Sequence, residues 1–263
     1  IRSKRNFNFM SNNKNFESNS LDAFIDGKIS LFQPVSGYRA NADSILLAAA
    51  VNAKKGERVL ELGCGIGTVL FALMSRINGL RVVGIEAQKK YARLAVRNAI
   101  YNSFEAEIIT CDIAAIPITY KNLQYDHVIL NPPFFALKDS MRMSNYDQDM
   151  AKREQTLSLM NWMDIAIKRC SVKGEVVLIH QAERLADIIS IIGDRLGDIK
   201  ILPISSFNGE AAKRILVKGK KGSSSPLTIL APIVMHEGSR SRKPTKKHTD
   251  KVEGILRNGN GIN

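Results

Sequence analysis

Two short runs of residues have the types and spacing that could do chemistry. In ELGCGIGTV (61–69), Gly63, Gly65 and Gly67 alternate with other residues where an apolar run stops and a helical pattern starts. Glycines at such a turn let a ligand approach the backbone with no Cβ in the way. The chemistry this suits is the gripping of a nucleotide-like cofactor; the plainer reading is a tight turn that needs glycine for its geometry. Glu86 ends the next apolar run, RVVGIE, where a carboxylate can accept from ribose hydroxyls. Taken alone, it would read as a solvated charge at a strand end. Asp112, after IITC, is placed to accept from an adenine amino group, or simply to cap a turn. A nicotinamide dinucleotide is disfavoured, because its GxGxxG spacing wants glycine where this chain has Thr68.

The second run is YDHVILNPPFF (125–135), an apolar strand that ends abruptly in Asn131, Pro132, Pro133 and Phe134. Two prolines cannot donate to a ladder, so the strand stops and leaves carbonyl oxygens facing the carboxyl edge of the sheet. An aromatic amine is a poor nucleophile, its lone pair being delocalised into the ring. The Asn131 side-chain oxygen and the Pro132 carbonyl can each accept one N–H, holding the nitrogen in line for attack. Phe134 can stack on a base taken out of its helix or loop. The competing reading is a strand-ending turn with Phe134 and Phe135 packed in the core.

These residues need a frame, and the hydrophobic pattern supplies one. Short β-branched runs alternate with helical patterns from Arg58 onward, which predicts βα units feeding a parallel sheet with helices on both faces. Strands are expected at 58–62, 81–86, 106–110, 127–130 and 174–180, with helices at 68–77, 88–102, 154–169 and 183–197. Runs at 199–204, 214–217 and 227–235 read as closing strands, about seven in all. Residues 43–51 read as a short helix leading into the first strand, beside a loop at 33–41. The expected organisation is a flexible segment over 1–20, a catalytic domain over 21–237, and a basic tail over 238–263.

With 263 residues and 44% hydrophobic content the chain can bury a substantial core. Its net charge of +13 is concentrated at the ends. Residues 218–263 hold ten basic against three acidic side chains, whereas the stretch 21–217 is close to balanced. Arg240, Arg242, Lys243, Lys246 and Lys247 are suited to phosphate contacts, or to a solvated tail with no ligand. The three cysteines lack a CxxC spacing, so neither disulfide nor metal is expected. No apolar run is long enough to span a bilayer and no signal-like segment opens the sequence, so no membrane is expected as a partner and the expected location is cytoplasmic. Nothing in the pattern reports an oligomeric state.

Together these runs resemble the small-domain methyltransferases that carry an Asn-Pro-Pro-aromatic motif. Within them the chain is most similar to the bacterial enzymes that modify an adenine beside the anticodon of tRNA(Val). The resemblance runs through QPVSGYRANADSILLAAAV, VLELGCGIG, VVGIEAQ and VILNPPFF, from about Leu21 to the closing strands. It implies an α/β, Rossmann-like class I methyltransferase with a seven-stranded, mostly parallel sheet and an antiparallel last strand. It also implies S-adenosylmethionine as cofactor, held by Glu61, Gly63, Cys64, Gly65, Glu86, Ala87, Asp112, Ile113 and Asn131, with Arg39 and Asp43 closing over its methionine end. Asn131 and Pro132 would then orient the amine and Phe134 would stack on the base, with Pro133, Phe135, Arg240, Arg242 and Lys243 completing the substrate side. The chain departs from its relatives at Asn41-Ala42, where many have Gly-Thr, and at Phe134, where some have Tyr. The expected function is methyl transfer to an exocyclic amine, adenine N6 in tRNA. The alternatives are guanine N2 of ribosomal RNA, the glutamine amide of a release factor, and, from another class, RNA binding without catalysis.

Overall fold

The computed structural model describes residues 19–37, 39–133, 158–239 and 247–262. It opens with a hairpin, β1 (Asn19–Phe24) and β2 (Ile29–Pro34), paired antiparallel from Asn19↔Pro34 to Phe24↔Ile29. The turn places Ile25, Asp26 and Gly27 in the left-handed region, the φ of Gly27 being 82°. The loop expected over 33–41 is therefore shorter, since Gln33 and Pro34 end β2. Helix α1 (Ala42–Ala50) follows, capped by the Asn41 side chain, which accepts from the Ser44 N–H.

The βα units lie where the periodicity puts them. They are β3 (Arg58–Leu62), α2 (Thr68–Arg76), β4 (Arg81–Glu86), α3 (Lys89–Tyr101), β5 (Ala106–Thr110) and β6 (Tyr125–Leu130); the short α4 (Ile118–Lys121), between β5 and β6, has no counterpart among the expected helices. Helix α5 (Leu159–Arg169) starts with a reciprocal cap between Ser158 and Asn161; the expected start at 154 lies outside the described residues. Strand β7 (Cys170–Gln181) is longer than its apolar core. The helix expected over 183–197 is cut short. After a 3-10 turn at Ala182–Arg184, α6 runs only from Leu185 to Ile192, because Gly193 adopts a positive φ and starts a second 3-10 turn. Leu196 already belongs to β8 (Leu196–Ser205), which pairs with β9 (Arg214–Lys221).

The sheet order is β5-β4-β3-β6-β7-β9-β8. Six of these strands run in one direction, and β9 runs antiparallel between β7 and β8. This is the expected seven-stranded, mostly parallel sheet with one reversed strand. The third closing run yields only β10 (Thr228–Ile229) and β11 (Ile233–Val234), both laid parallel on β8. One apolar layer joins the sheet to α1, α2 and the hairpin; the other joins it to α5 and α6.

The end of the chain differs from a free basic tail. Arg240, Arg242, Lys243 and Lys246 lie outside the described residues, but 247–262 folds back and forms α7 (Asp250–Leu256). Val252 and Ile255 are buried in the first apolar layer, and the Ile262 N–H donates to the Ala49 carbonyl at 2.7 Å. Lys247, offered above as a phosphate contact, pairs with Glu237 at 3.2 Å.

Candidate active site

The register of the sheet brings the two chemical runs together. Leu62 of β3 pairs directly with Ile85 of β4 on one side and Leu130 of β6 on the other. The next residue on each strand is Gly63, Glu86 and Asn131, so these three form one row along the carboxyl edge, with strands about 4.8 Å apart. Thr110 of β5 pairs with Glu86 and extends the row toward Asp112. In an open α/β sheet this edge is where ligands bind.

The glycine turn is built for close approach. Gly63, Gly65 and Gly67 all have positive φ, at 70°, 55° and 86°. A Cβ on Gly67 would lie 2.2 Å from the Phe71 ring, so only glycine allows α2 to start there. A Cβ on Gly63 would lie 2.7 Å from Cη2 of Trp162, the sole tryptophan, which reaches over from α5. The Gly67 N–H donates to the Cys64 carbonyl at 2.8 Å, and the Cys64 N–H to the Ile85 carbonyl at 2.9 Å, which ties the turn to β4. Burial, reinforced by the nearby Glu61 and Glu86 charges, pushes the Cys64 thiol well above its ordinary pKa and keeps it a thiol.

Two carboxylates face this turn. Glu86 is buried and accepts from the Gly65 N–H at 3.0 Å and from the Gln88 N–H at 2.6 Å, so it holds both turns in register. Glu61 is only 2% exposed, and its Oε2 has no hydrogen-bond partner. Burial first, and the Glu86 charge second, raise the Glu61 carboxyl well above the usual carboxylate range. The Thr68 hydroxyl is a second buried polar group there without a hydrogen bond. A buried acid that accepts from the Leu70 N–H but has one oxygen free, at a glycine-lined crevice, fits a cofactor that carries a cationic amine, as S-adenosylmethionine does.

The other expected residues are placed as follows. Ala87 follows Glu86 at the start of the turn into α3, and Ile113 is buried behind Asp112. Asp112 caps a 3-10 turn, accepting from the Ala114 N–H at 2.8 Å. Arg39 is engaged by the hairpin: it pairs with Asp22 and donates to the Pro34 carbonyl at 2.7 Å. Asp43 instead takes Arg214 of β9 at 3.1 Å. Arg39 and Asp43 therefore brace the crevice wall toward different strands. Pro132 is buried and Asn131 half-buried at the end of β6. Phe134, Phe135, Arg240, Arg242 and Lys243 lie outside the described residues.

Sequence reasoning missed two residues that shape this site. Trp162 is one; the spacing put it on a helix, and nothing local tied it to Gly63. Asn98 is the other, fully buried on α3. Its side-chain oxygen accepts from the Phe32 N–H at 2.7 Å, and its amide donates to the Phe32 and Ile66 carbonyls at 3.2 and 3.0 Å. One side chain thus joins the hairpin, α3 and the glycine turn. Asn102, one helical turn on, binds both the N–H and the carbonyl of Ser30, at 2.9 and 2.8 Å.

This sheet order, with a glycine turn and an acidic second strand at its carboxyl edge, is that of a class I S-adenosylmethionine-dependent methyltransferase. Residues 36–153 match the family model of the methyltransferase small domain. Among curated relatives, the tRNA1(Val) (adenine(37)-N6)-methyltransferase of Actinobacillus pleuropneumoniae is 29% identical over 183 residues, covering 68% of this chain and 75% of the relative. The enzyme of the same name from Porphyromonas gingivalis is 28% identical over 196 residues, covering 69% and 76%. Among solved structures, a predicted O-methyltransferase from Agrobacterium tumefaciens superposes with a TM-score of 0.66 at 27% identity, covering 84% of this chain and 98% of its own. Among the described residues, no helix is long and apolar enough to cross a membrane and no cluster could hold a metal ion.

Proposed function

We propose that this methyltransferase acts on the N6 amino group of an adenine in tRNA, in the cytoplasm. The observation that supports this reading is the row of Gly63, Glu86 and Asn131 along the carboxyl edge, with Pro132 directly following Asn131. S-adenosylmethionine supplies an activated methyl group on a sulfonium. Glu61 accepts from the cofactor's ammonium, Glu86 from its ribose, and Asp112 from its adenine, over a backbone left bare by Gly63 and Gly65. The Asn131 side-chain oxygen and the Pro132 carbonyl each accept one N–H of the incoming amine, which turns its lone pair toward the methyl group. A methylated amine nitrogen is acidic enough to lose its proton readily, so the site needs no strong general base.

Two acceptors suit an N–H2 group better than a hydroxyl, which has one hydrogen to give. That favours nitrogen over oxygen as acceptor, although the Agrobacterium neighbour is described as an O-methyltransferase. The basic ends of the chain favour a nucleic acid over a release factor. Both curated relatives act, by name, on adenine 37 of a valine tRNA, which supports the same acceptor here. The test is incubation with labelled S-adenosylmethionine and total bacterial tRNA, followed by nucleoside analysis. N6-methyladenosine is the expected product; methylguanosine, or label in protein alone, would replace the reading with one of its alternatives.

A further inference from the structure

Helix α3 carries Lys89, Lys90, Arg93 and Arg97 and no acidic residue. Its solvent face is also apolar to an unusual degree, since Val96, Ile100 and Tyr101 are exposed, Ile100 by 74%. Lys89, Arg93, Arg97 and Tyr101 succeed one another at intervals of four, so they form one stripe, with Val96 and Ile100 beside it. The stripe continues onto the hairpin. The Arg97 guanidinium lies 3.5 Å above the Phe32 ring, and Tyr101 meets the same ring edge-on at 5.2 Å between centroids. Leu21, half-exposed, stands directly across from Phe32 on β1.

We infer that this face of α3 and the hairpin is the track along which the RNA substrate is held. The inference rests on the RNA reading of the active site. Cations alone would suit any polyanion. Cations interleaved with an exposed tyrosine and an arginine seated over a phenylalanine ring suit a polyanion that also offers bases to stack on, as an unpaired RNA loop does. An acidic protein would use the charges and leave the rings idle. The orientation is also right: α3 begins three residues after Glu86, so the Lys89 end of the stripe opens at the cofactor edge and the Tyr101 end lies about 20 Å away along the helix. Backbone neutralised along that line leads a single-stranded segment toward Asn131.

The test is tRNA binding by fluorescence anisotropy at several salt concentrations, with wild-type protein and the double variant Lys89→Gln, Arg93→Gln. Glutamine keeps the helix propensity of the residues it replaces. The slope of log affinity against log salt should fall by about 1.4 to 1.8, since each phosphate contact contributes about 0.7 to 0.9. Affinity near physiological salt should drop roughly tenfold, with the KM for tRNA rising in step. Affinity for S-adenosylmethionine and the melting temperature should not change. A separate Tyr101→Leu variant should weaken tRNA about fivefold or more with no change in salt slope, because it removes stacking and not charge. Unchanged tRNA affinity and slope in the double variant, while the wild type still methylates tRNA, would overturn the track and leave the active-site reading standing. Failure of the wild type to bind tRNA at all would overturn both.

Discussion

Replacing Asn98 with alanine tests how the cofactor turn is held. The substitution removes the partner of the Phe32 N–H, the Phe32 carbonyl and the Ile66 carbonyl, at 2.7, 3.2 and 3.0 Å. Asn98 is fully buried, so water cannot reach these groups without repacking α3 against β2. Each buried group left without a partner costs about 1–3 kcal/mol, so the three together should cost about 4 kcal/mol, allowing for partial hydration on the Phe32 side. At roughly 2–3 °C per kcal/mol for a chain of this size, the melting temperature should fall by about 10 °C. The neighbouring change Asn102→Ala is the control. It frees the two backbone groups of Ser30, which are less buried, and should cost about 1–2 kcal/mol. The two variants should also differ in kind, because only Asn98 touches the glycine turn. Urea titration with calorimetry of S-adenosylmethionine binding reads both effects. A loss below about 1 kcal/mol for Asn98→Ala, with cofactor affinity equal to wild type, would refute the argument that this side chain anchors the turn.

Asn131→Ala should lower the rate of transfer by about 100-fold or more while cofactor affinity persists; equal turnover would remove Asn131 from its assigned role. Gly63→Ala meets a positive φ and the Trp162 ring together, so cofactor affinity should collapse. Adding Trp162→Leu to it should restore only the part due to the ring, as isothermal titration of the two variants would resolve. Glu61, with its pKa raised by burial, should give up a proton when it accepts the cofactor's ammonium. Calorimetry in buffers of different ionisation enthalpy should then show proton release in the wild type and none in Glu61→Gln; equal release would exclude Glu61 as its source. Burial, and then the Arg184 charge, lower the His180 pKa to about 4. The unfolded chain binds this proton near pH 6.5, so stability is full above that value and is lost as the pH falls toward 4, by roughly 3 kcal/mol. Denaturation of the wild type and His180→Leu at pH 7 and pH 4.5 should show the wild type losing more, and parallel losses would refute the assignment.

The parts of this molecule that were legible in sequence are those whose cause is local. The βα alternation from Arg58 to Leu130 follows from hydrophobic period, the glycine turn from steric freedom, and the end of β6 from two prolines. The hairpin also had a local signal, Asp26-Gly27 between apolar runs, and a reading that weighed it would have begun the fold two residues earlier. Helix α7 was hidden because charged residues outnumber the two side chains, Val252 and Ile255, that anchor it. The other omissions are long-range. Asn98 reaches Phe32 across 66 positions, and Asp43 reaches Arg214 across 171. No pattern within a window of sequence encodes such pairs. The early shortfall of α6 is a smaller case: the helical period ran on through Gly193, but its positive φ ended the helix there.

The pair Asn98 and Asn102 has a consequence for the solubility of the chain. Strand β2 pairs with β1 along one side only, and its other side would ordinarily offer alternating donors and acceptors to any extended peptide that drifted past. Two carboxamides spaced one helical turn apart occupy those donors and acceptors, at Ser30 and Phe32, in place of a third strand. The hairpin is thereby closed to self-templating by side chains belonging to a helix. A double replacement of the two asparagines should therefore open this edge to strand-swapped association, a change in colloidal behaviour that no inspection of the catalytic crevice would foretell.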